Sequence, residues 1–249
     1  MQKIAIIVPC YNERKRLNAE AFKAFVQQHE DVFIIFVDDG SKDETAEVLH
    51  SIRTFHPDRV QVMSIEKNKG KANAVLAGMR MAVSEKSFAY IGYLDADLST
   101  SPLEFYRLFE KMTTKDLDYI LGSRIKLLQS SIRRSFLRHL SGRFIATIID
   151  WKYSLGIYDT QCGAKIFKAP MVESLTATEF KTKWFFDVEL FLRMRERFPR
   201  ANGMEVPLSS WTDPGNSKLN WVHFPLVISE LFTLMNNYSN KPAKPLANR

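Results

Sequence analysis

The chain has 249 residues, of which 45% are hydrophobic and 25% charged, and its formal net charge is +7 with a pI near 9.3. This composition is typical of a folded globular protein and excludes disorder as the general state of the chain. The positive charge favours anionic partners such as phosphates or an acidic membrane face. Two cysteines, Cys10 and Cys162, are too few for a disulfide framework and predict reduced thiols.

The first half of the chain alternates apolar runs with segments of helical spacing. Unbroken apolar runs predict buried strands at residues 4–8 and 33–37, and further strands are predicted at 60–65, 88–94 and 119–122. The helical spacing predicts helices at residues 17–28, 41–52, 70–83 and 102–112. We expect Ser41 or Asp43 to cap the second helix, and Pro102 suits the first turn of the fourth. This order predicts an α/β fold with a doubly wound, mostly parallel sheet flanked by helices.

The second half of the chain is less regular. Its patterns predict helices at residues 133–151, 184–197 and 221–235, a loop entering a strand at 159–167, and a short edge strand at 203–207. No repeat or linker divides it. We therefore predict a single domain over residues 1–236, followed by a polar tail at 237–249 that contains two prolines.

The apolar segments are too short for membrane insertion. The N-terminal apolar run passes directly into a polar motif, unlike a signal peptide. No stretch reaches the roughly 18–20 uninterrupted apolar residues of a spanning helix. These features predict a cytoplasmic protein, peripheral at most on the cytoplasmic face of the membrane.

Three polar motifs follow predicted strands: PCYNE at residues 9–13, DDGS at 38–41 and DAD at 95–97. In doubly wound sheets, ligands bind beyond the carboxyl ends of the strands. We therefore expect the three motifs to converge on one site.

The DAD motif places Asp95 and Asp97 one residue apart at the end of a buried strand. Two such carboxylates are costly unless a cation holds them. Oxygen ligands suit Mg²⁺ or Mn²⁺ bound to a diphosphate. The alternative is a solvated loop that happens to carry two acids.

The other two motifs also have two interpretations each. Asp38 and Asp39 can accept hydrogen bonds from a base or a ribose, but Asp-Asp-Gly-Ser also suits a turn before a helix, and both uses are compatible. Gly70 and Lys71 open a helix whose N–H groups and lysine can face a phosphate or base. The alternative is a helix start with a solvated lysine.

Four segments resemble family 2 glycosyltransferases with the GT-A fold in their order and spacing. They are VPCYNE at residues 8–13, VDDGSKDET at 37–45, NKGK at 68–71 and LDAD at 94–97. Further segments resemble the dolichyl-phosphate glucosyltransferase branch: DTQCGAK at 159–165, WFFDVEL at 184–190, EVP at 205–207, Trp211 and GNSK at 215–218. The resemblance covers residues 1 to about 220.

This resemblance implies an inverting, metal-dependent transfer of a sugar, with glucose favoured, from a nucleotide-diphosphate donor to a polyprenyl phosphate. It implies a nucleotide site made by Pro9, Tyr11, Glu13, Asp38, Asp39, Lys71 and Asp95. It assigns Mg²⁺ or Mn²⁺ to Asp95 and Asp97, and phosphates or acceptor to Arg124, Arg133, Arg134, Gln161 and Lys218. The catalytic residues it implies are Asp97, Arg124 and Asp187.

The acceptor determines what Asp187 does. A phosphate acceptor is already ionised near neutral pH, whereas a sugar hydroxyl needs a base, for which Asp187 is the candidate. Interleaved arginines and apolar residues at 133–151 favour contact with a lipid phosphate and an anionic membrane surface. The alternative is a helix with a buried stripe and a solvated basic face.

Other functions stay open or are disfavoured. A family 2 enzyme acting on a saccharide hydroxyl and a polyprenyl-phosphate mannosyltransferase using GDP-mannose are the alternatives. Ser99 argues against mannose, because mannosyl-transferring relatives have a metal-binding glutamine there; a UDP-sugar is favoured over a GDP-sugar. A nucleotidyltransferase would show a glycine-rich phosphate loop after the first strand. Acidic strand ends argue against a nucleic acid partner.

Overall fold

Strands and helices alternate along the chain in a computed structural model, which describes residues 2–128, 131–133, 146–212 and 224–238. The strands are β1 (Ile4–Cys10), β2 (Val32–Asp38), β3 (Val60–Ser64), β4 (Tyr90–Leu94), β5 (Tyr119–Ser123), β6 (Ser131–Arg133), β7 (Ala164–Lys168), β8 (Gly203–Pro207) and β9 (Ser210–Thr212). The helices are α1 (Ala19–Gln28), α2 (Thr45–Phe55), α3 (Lys71–Glu85), α4 (Pro102–Thr114), α5 (residues 146–153), α6 (Ala169–Leu175), α7 (Phe186–Arg197) and α8 (Phe224–Asn237).

Seven strands form one sheet in the order β3-β2-β1-β4-β7-β5-β8. β7 runs antiparallel to both of its neighbours, and the other pairs are parallel. β6 and β9 form a separate parallel pair, in which Ile132 is opposite Trp211. Because β2, β1 and β4 are adjacent and parallel, the loops that follow them lie at the same edge of the sheet.

Different helices cover the two faces of the sheet. Along β1 the side chains alternate between the faces: Ala5 and Ile7 pack in a cluster with α3, α6 and α7, whereas Ile4 and Ile6 pack with α1, α2 and α4. α3 approaches the sheet closely, since a Cβ at Gly78 would lie 2.4 Å from Cγ2 of Ile7. The predicted doubly wound, mostly parallel α/β fold is confirmed.

The elements predicted for the first half are confirmed, and the largest difference is at the start of α2. This helix begins at Thr45, with Glu44 rather than Ser41 or Asp43 in the cap position. Both expected caps are used locally instead. Asp43 accepts the N–H groups of Thr45 (3.1 Å) and Arg14 (3.3 Å), and Ser41 is bonded to the loop after β1.

The second half departs further from the predictions. A single helix from residue 133 is wrong at its start, because Arg133 ends strand β6; residues 134–145 lie outside the described part of the chain, and α5 follows. The strand entry near residue 164 and the edge strand β8 are confirmed. α7 begins two residues later than predicted, at Phe186. The short elements α6, β6 and β9 were not predicted.

The C-terminal helix α8 runs through Asn237, and Tyr238 is buried, with its hydroxyl 2.8 Å from Glu189 Oε1. Packing therefore continues two residues beyond the predicted domain end at residue 236, and residues 239–249 lie outside the description. Within the described residues, every helix falls short of the length or apolar character needed to cross a bilayer.

Candidate active site

The loops after β1 and β2 are joined by hydrogen bonds at the carboxyl edge of the sheet. Asn12 adopts a left-handed backbone (φ 53°), and its N–H donates to Ser41 Oγ at 3.0 Å. Its own side chain accepts the N–H of Lys42 at 2.8 Å, while the Glu13 N–H donates to Thr45 Oγ1 at 2.8 Å. The expected convergence of PCYNE and DDGS is therefore confirmed.

Pro9 and Tyr11 are partly exposed at this edge, and Glu13 is buried, with Oε1 2.5 Å from an Nη of Arg16. The ion pair orients the Glu13 carboxylate within the loop. Whether these three residues hold a nucleotide stays a prediction.

Asp38 and Asp39 are both buried and both accept backbone N–H groups. Asp38 Oδ1 accepts the N–H of Ser41 at 3.0 Å, which confirms the predicted turn. The two oxygens of Asp39 accept the N–H groups of Lys69 (2.9 Å) and Gly70 (2.7 Å). Asp39 thus connects the end of β2 to the start of α3. Its predicted contact with the nucleotide stays a prediction.

Lys71, the first residue of α3, extends toward the DAD motif. Its Nζ lies 2.5 Å from Oδ1 of Asp95 and 5.7 Å from the ring centres of Tyr93 and Phe186. Burial opposes the lysine charge, but Asp95 and Asp187, with Asp97, raise the pKa of Lys71 above its ordinary value. Lys71 is therefore a fixed cation beside the acids.

Asp95 and Asp97 are both partly exposed at the end of β4. The Asp95 N–H donates to the carbonyl of Gly163 at 3.0 Å, and a Cβ at Gly163 would lie 2.0 Å from Asp95 Oδ2. Glycine at this position therefore leaves room for the carboxylate. Asp97 Oδ1 accepts the N–H of Ser99 at 3.0 Å, across Leu98 in a left-handed conformation.

The carboxylates of the DAD motif suit a divalent cation that takes its remaining ligands from a substrate. No cluster of three or more His, Cys, Asp or Glu residues suited to a metal occurs within the described ranges. Asp95 and Asp97 supply only carboxylate oxygens. Mg²⁺ typically binds one or two carboxylates and completes its shell with phosphate oxygens and water. The residues present fit such a cation, with Asp97 the more available because Lys71 pairs with Asp95.

Asp187 lies in the first turn of α7 and is buried beneath this cluster. Lys165 Nζ is 2.7 Å from Asp187 Oδ1 and also donates to the carbonyl of Cys162 at 2.5 Å. The Tyr93 hydroxyl donates to the same carboxylate oxygen. Burial raises the pKa of Asp187 and lowers that of Lys165, because neither charge is hydrated. The structure thus places Asp187 in a buried ion pair.

Arg124 follows β5 and is held on two sides. Its Nε and Nη2 donate to the two oxygens of Asp159, both at 2.7 Å, and its guanidinium lies 5.5 Å from the Trp211 ring centre. Burial opposes the charge, but Asp159 raises the pKa of Arg124. Glu205 Oε1 in turn accepts the N–H of Asp159 at 2.8 Å. The guanidinium is therefore prepositioned.

Sequence reasoning assigned no role to Asp159, Lys165 or Glu205. Asp159 and Lys165 stand in the DTQCGAK motif and Glu205 in EVP. Their place in these motifs was the one signal that could have marked them as functional. Asp187 lies 22 residues from Lys165, Arg124 lies 35 residues from Asp159, and Glu205 lies 46 residues from Asp159, separations that no local pattern reports.

The predicted acceptor residues are only partly placed. Gln161 has a buried Nε2 with no hydrogen-bond partner in the described part of the structure. The backbone of Arg133 is opposite Thr212, whose N–H donates to the carbonyl of Ser99, in the loop after β4, at 3.2 Å. The Arg133 side chain, Arg134 and Lys218 lie outside the described residues.

Sequence comparisons identify the family to which the chain is related. The sequence profile of Glycosyl transferase family 2 matches residues 5–173. A dolichyl-phosphate beta-glucosyltransferase of Dictyostelium discoideum is 32% identical over 235 residues, which cover 87% of this chain and 68% of that protein. A human dolichyl-phosphate beta-glucosyltransferase is 30% identical over 234 residues, covering 88% and 70%.

Solved structures of glucosyl-3-phosphoglycerate synthase from Mycobacterium tuberculosis share the fold. The complex with Mg²⁺ and UDP has a TM-score of 0.69 at 16% identity, covering 100% of this chain and 90% of that one. The complex with Mn²⁺, UDP and glucosyl-3-phosphoglycerate has a TM-score of 0.68 at 16% identity, covering 93% and 79%. From the profile match and these relatives, the chain belongs to glycosyl transferase family 2 and is a glycosyltransferase with the GT-A fold.

Proposed function

We propose that this glycosyltransferase moves glucose from UDP-glucose to a polyprenyl phosphate, with inversion at the anomeric carbon and with Mg²⁺ or Mn²⁺ bound. One observation carries the proposal: two partly exposed carboxylates, Asp95 and Asp97, lie beside the fixed cation Lys71, and the Asp95 charge also contributes to the raised pKa of Arg124. Such a site suits the transfer of a group away from a diphosphate. The two relatives named dolichyl-phosphate beta-glucosyltransferase support the choice of sugar and acceptor.

Asp95 and Asp97 would hold the divalent cation, with Asp97 making the more direct contact. The bound cation supplies positive charge to the departing diphosphate. Lys71 and Arg124 add charge that is already oriented before the reaction, which is the more effective form of electrostatic stabilisation. Asp159 accepts two of the five guanidinium N–H donors of Arg124, so within the described residues others remain for a phosphate.

The nucleotide would lie over the loops after β1 and β2. Pro9, Tyr11 and Glu13 would line its base and ribose, together with Asp38 and Asp39. Each Asp39 oxygen accepts one backbone N–H and retains a second lone pair. The hydrogen bonds between the two loops hold this surface in one conformation, which lowers the entropy cost of binding.

The placement of Asp187 supports a phosphate acceptor. A general base must reach the proton that it removes, directly or through one water. Asp187 is 2% exposed and pairs with Lys165, so its carboxylate faces the protein interior. A phosphate monoester is ionised near pH 7 and needs no base. Gln161 and Arg133, with Arg134 and Lys218, would then receive the acceptor.

We further propose that the acceptor is reached at the cytoplasmic face of a membrane with anionic lipid. Large apolar side chains are exposed after β5, on α5 and on α8: Leu128 (95%), Trp151 (82%) and Phe232 (59%). Leu128 follows the prepositioned Arg124 by four residues. Exposed large apolar groups beside basic residues suit an interfacial surface. The two thiols are free, as expected in a reducing compartment.

A donor screen tests the reaction. The protein is incubated with UDP-glucose, UDP-N-acetylglucosamine or GDP-mannose and Mn²⁺, with and without polyprenyl phosphate, and the released nucleotide and glycolipid are quantified. We expect transfer from UDP-glucose that requires the polyprenyl phosphate and stops with EDTA. Transfer from GDP-mannose, or transfer to a saccharide instead of the lipid, would contradict the proposal.

Flotation with vesicles tests the membrane surface separately. Vesicles of phosphatidylcholine with phosphatidylglycerol should carry the protein upward at low salt, and binding should weaken as salt screens the charges. A Trp151→Ala variant should float less than the wild type. Protein that stays at the bottom of the gradient at low salt would rule out this surface.

A further inference from the structure

The N-terminus of α7 depends on a carboxylate from another helix. Phe185 occupies its cap position and has no side-chain oxygen with which to accept an N–H. Glu230 of α8 accepts the three backbone N–H groups that precede the helix instead. Oε1 accepts that of Lys183 at 3.0 Å, and Oε2 accepts those of Trp184 (2.7 Å) and Phe185 (3.2 Å).

Glu230 is the only charged residue of α8, yet it lies on the buried face of that helix. It is 7% exposed, on the same face as the buried residues Val227 and Leu234. A buried carboxylate is costly unless hydrogen bonds hold it. Three N–H groups and the positive end of the α7 dipole provide this stabilisation. A charge that served only solubility would lie on the exposed face of α8. The buried position of Glu230 therefore indicates a specific structural role.

The three hydrogen bonds from the N–H groups of residues 183–185 to Glu230 form a clamp, and the residues that follow it belong to the candidate active site. Phe186 and Asp187 come directly after Phe185. The Phe186 ring lies 5.7 Å from Lys71 Nζ, and the Asp187 charge contributes to the raised pKa of Lys71. Lys71 itself pairs with Asp95. Any shift at the start of α7 therefore moves the groups that surround the fixed cation.

A second buried glutamate shows that the clamp by Glu230 is local. Glu189 of α7 accepts the N–H groups of Lys181 and Thr182 and pairs with Arg193 at 2.7 Å. The backbone N–H groups that Glu189 accepts end at Thr182, and those that Glu230 accepts begin at the next residue, Lys183. Glu189 thus fixes the approach to the helix, whereas Glu230 fixes its first residues.

We propose that Glu230 is a positioning residue for the transfer reaction. From outside the region that the family profile matches, its carboxylate holds the N–H groups of residues 183–185 and so sets Phe186 and Asp187 against Lys71. This role rests on the proposed function, in which Lys71 stabilises the departing diphosphate. Glu230 touches no substrate and acts only through the start of α7.

The test compares Glu230→Gln and Glu230→Asp with the exposed control Glu179→Gln. Steady-state rates with UDP-glucose and polyprenyl phosphate are measured at a temperature where circular dichroism shows each variant folded. We expect kcat to fall about 10- to 100-fold in Glu230→Gln, since a misplacement of about 1 Å can cost 10²-fold, with KM for the donor changed less than about 2-fold. Glu230→Asp keeps the charge but withdraws it by one methylene, so we expect an intermediate loss. A folded variant of either kind with wild-type kcat would overturn the proposal.

Two further readouts separate positioning from a general structural effect. Hydrogen exchange should show faster exchange at amides 183–185 in Glu230→Gln and no change there in Glu179→Gln; retained protection would overturn the clamp. In a Lys71→Met background, Glu230→Gln should cost less than about 3-fold, because residues acting through one group are not additive. A full additional loss would overturn the route through Lys71. The exchange experiment needs no activity, so it stands even if wild-type protein fails to transfer glucose.

Discussion

Nζ of Lys71 lies 2.5 Å from Oδ1 of Asp95, so α3 supplies the counter-charge for the first acid of the DAD motif. The two side chains are 37% and 32% exposed. Ion pairs at such exposure contribute about 0–1 kcal/mol to folding. The contact therefore matters for where the charges stand in the site more than for stability.

Replacing Lys71 should damage activity while leaving the fold intact. We expect Lys71→Met to lower kcat/KM at least 10-fold, because it removes a prepositioned charge near the diphosphate, and to cost less than about 1 kcal/mol of unfolding free energy. Rates and urea denaturation measure the two effects. The neighbouring exposed Lys69→Met is the control and should behave like wild type, since the hydrogen bonds described for Lys69 use its backbone N–H and carbonyl, which the substitution keeps. Equal rates in both variants would contradict the role of Lys71.

Asp97→Ala should abolish transfer, because it removes the more available carboxylate from the proposed cation site. The variant should also lose Mn²⁺ binding, which electron paramagnetic resonance of free Mn²⁺ can follow without any assay of activity. Asp58→Ala, at an exposed position, serves as a control for the loss of one acid. Full turnover in Asp97→Ala would refute the metal assignment.

Gly163→Ala tests the space reserved for the Asp95 carboxylate. The added Cβ would lie 2.0 Å from Oδ2 and 2.2 Å from Cγ of Asp95, the end of a side chain that can rotate away. We expect a folded protein with a melting temperature within a few degrees of wild type and at least a 10-fold lower kcat, because the carboxylate moves. Normal activity in this variant would show that the exact place of Asp95 is unimportant.

The sequence predicted β1 and β2 because residues 4–8 and 33–37 are unbroken apolar runs. It also predicted which edge of the sheet carries the site, since Asp39 and Asp95 follow β2 and β4, the parallel strands on either side of β1. The insertion of antiparallel β7 between β4 and β5 has no such signal. Strand order depends on tertiary pairing, and a local pattern reports only the existence of a strand.

The contacts that orient the site were hidden for the same reason. Asp159, 35 residues from Arg124, fixes that guanidinium, and Glu230 reaches Phe185 from 45 residues away. The elements β6 and β9 have three residues each, too short to show periodicity. Local sequence patterns therefore could not predict the long-range side-chain contacts that orient the motif residues.

The ion pair between Lys165 and Asp187 predicts strong coupling between two variants. Lys165→Met or Asp187→Asn alone leaves one buried charge without its partner, and such a loss costs about 3–5 kcal/mol. The double variant should recover most of this, because no buried charge remains. Urea denaturation of the four proteins gives the coupling energy. Additive effects would show that the pair is not ionised in the folded protein.

Asp187→Asn also distinguishes the two kinds of acceptor. With a hydroxyl acceptor, loss of the base should lower kcat by about 10²-fold or more, and the loss should be smaller for a phosphate acceptor. Since Asp187 is buried against Lys165, we expect the smaller effect once rates are corrected for the folded fraction. A loss of about 10²-fold or more in fully folded protein would favour a hydroxyl acceptor.

The buried thiol of Cys162 should make stability fall at alkaline pH. Burial raises its pKa from 9.0 to about 12, so the folded protein keeps a proton that the unfolded chain releases. The stabilisation is complete below about pH 9 and is lost as pH rises toward about 12, with a slope of about 1.4 kcal/mol per pH unit. In Cys162→Ala this slope disappears, while the raised pKa values of Cys10 and Tyr238 act equally in both proteins. Urea midpoints measured at pH 8, 9, 10 and 10.5 should therefore diverge between wild type and variant. Parallel curves across this range would mean that the Cys162 thiol ionises alike in the folded and unfolded chain.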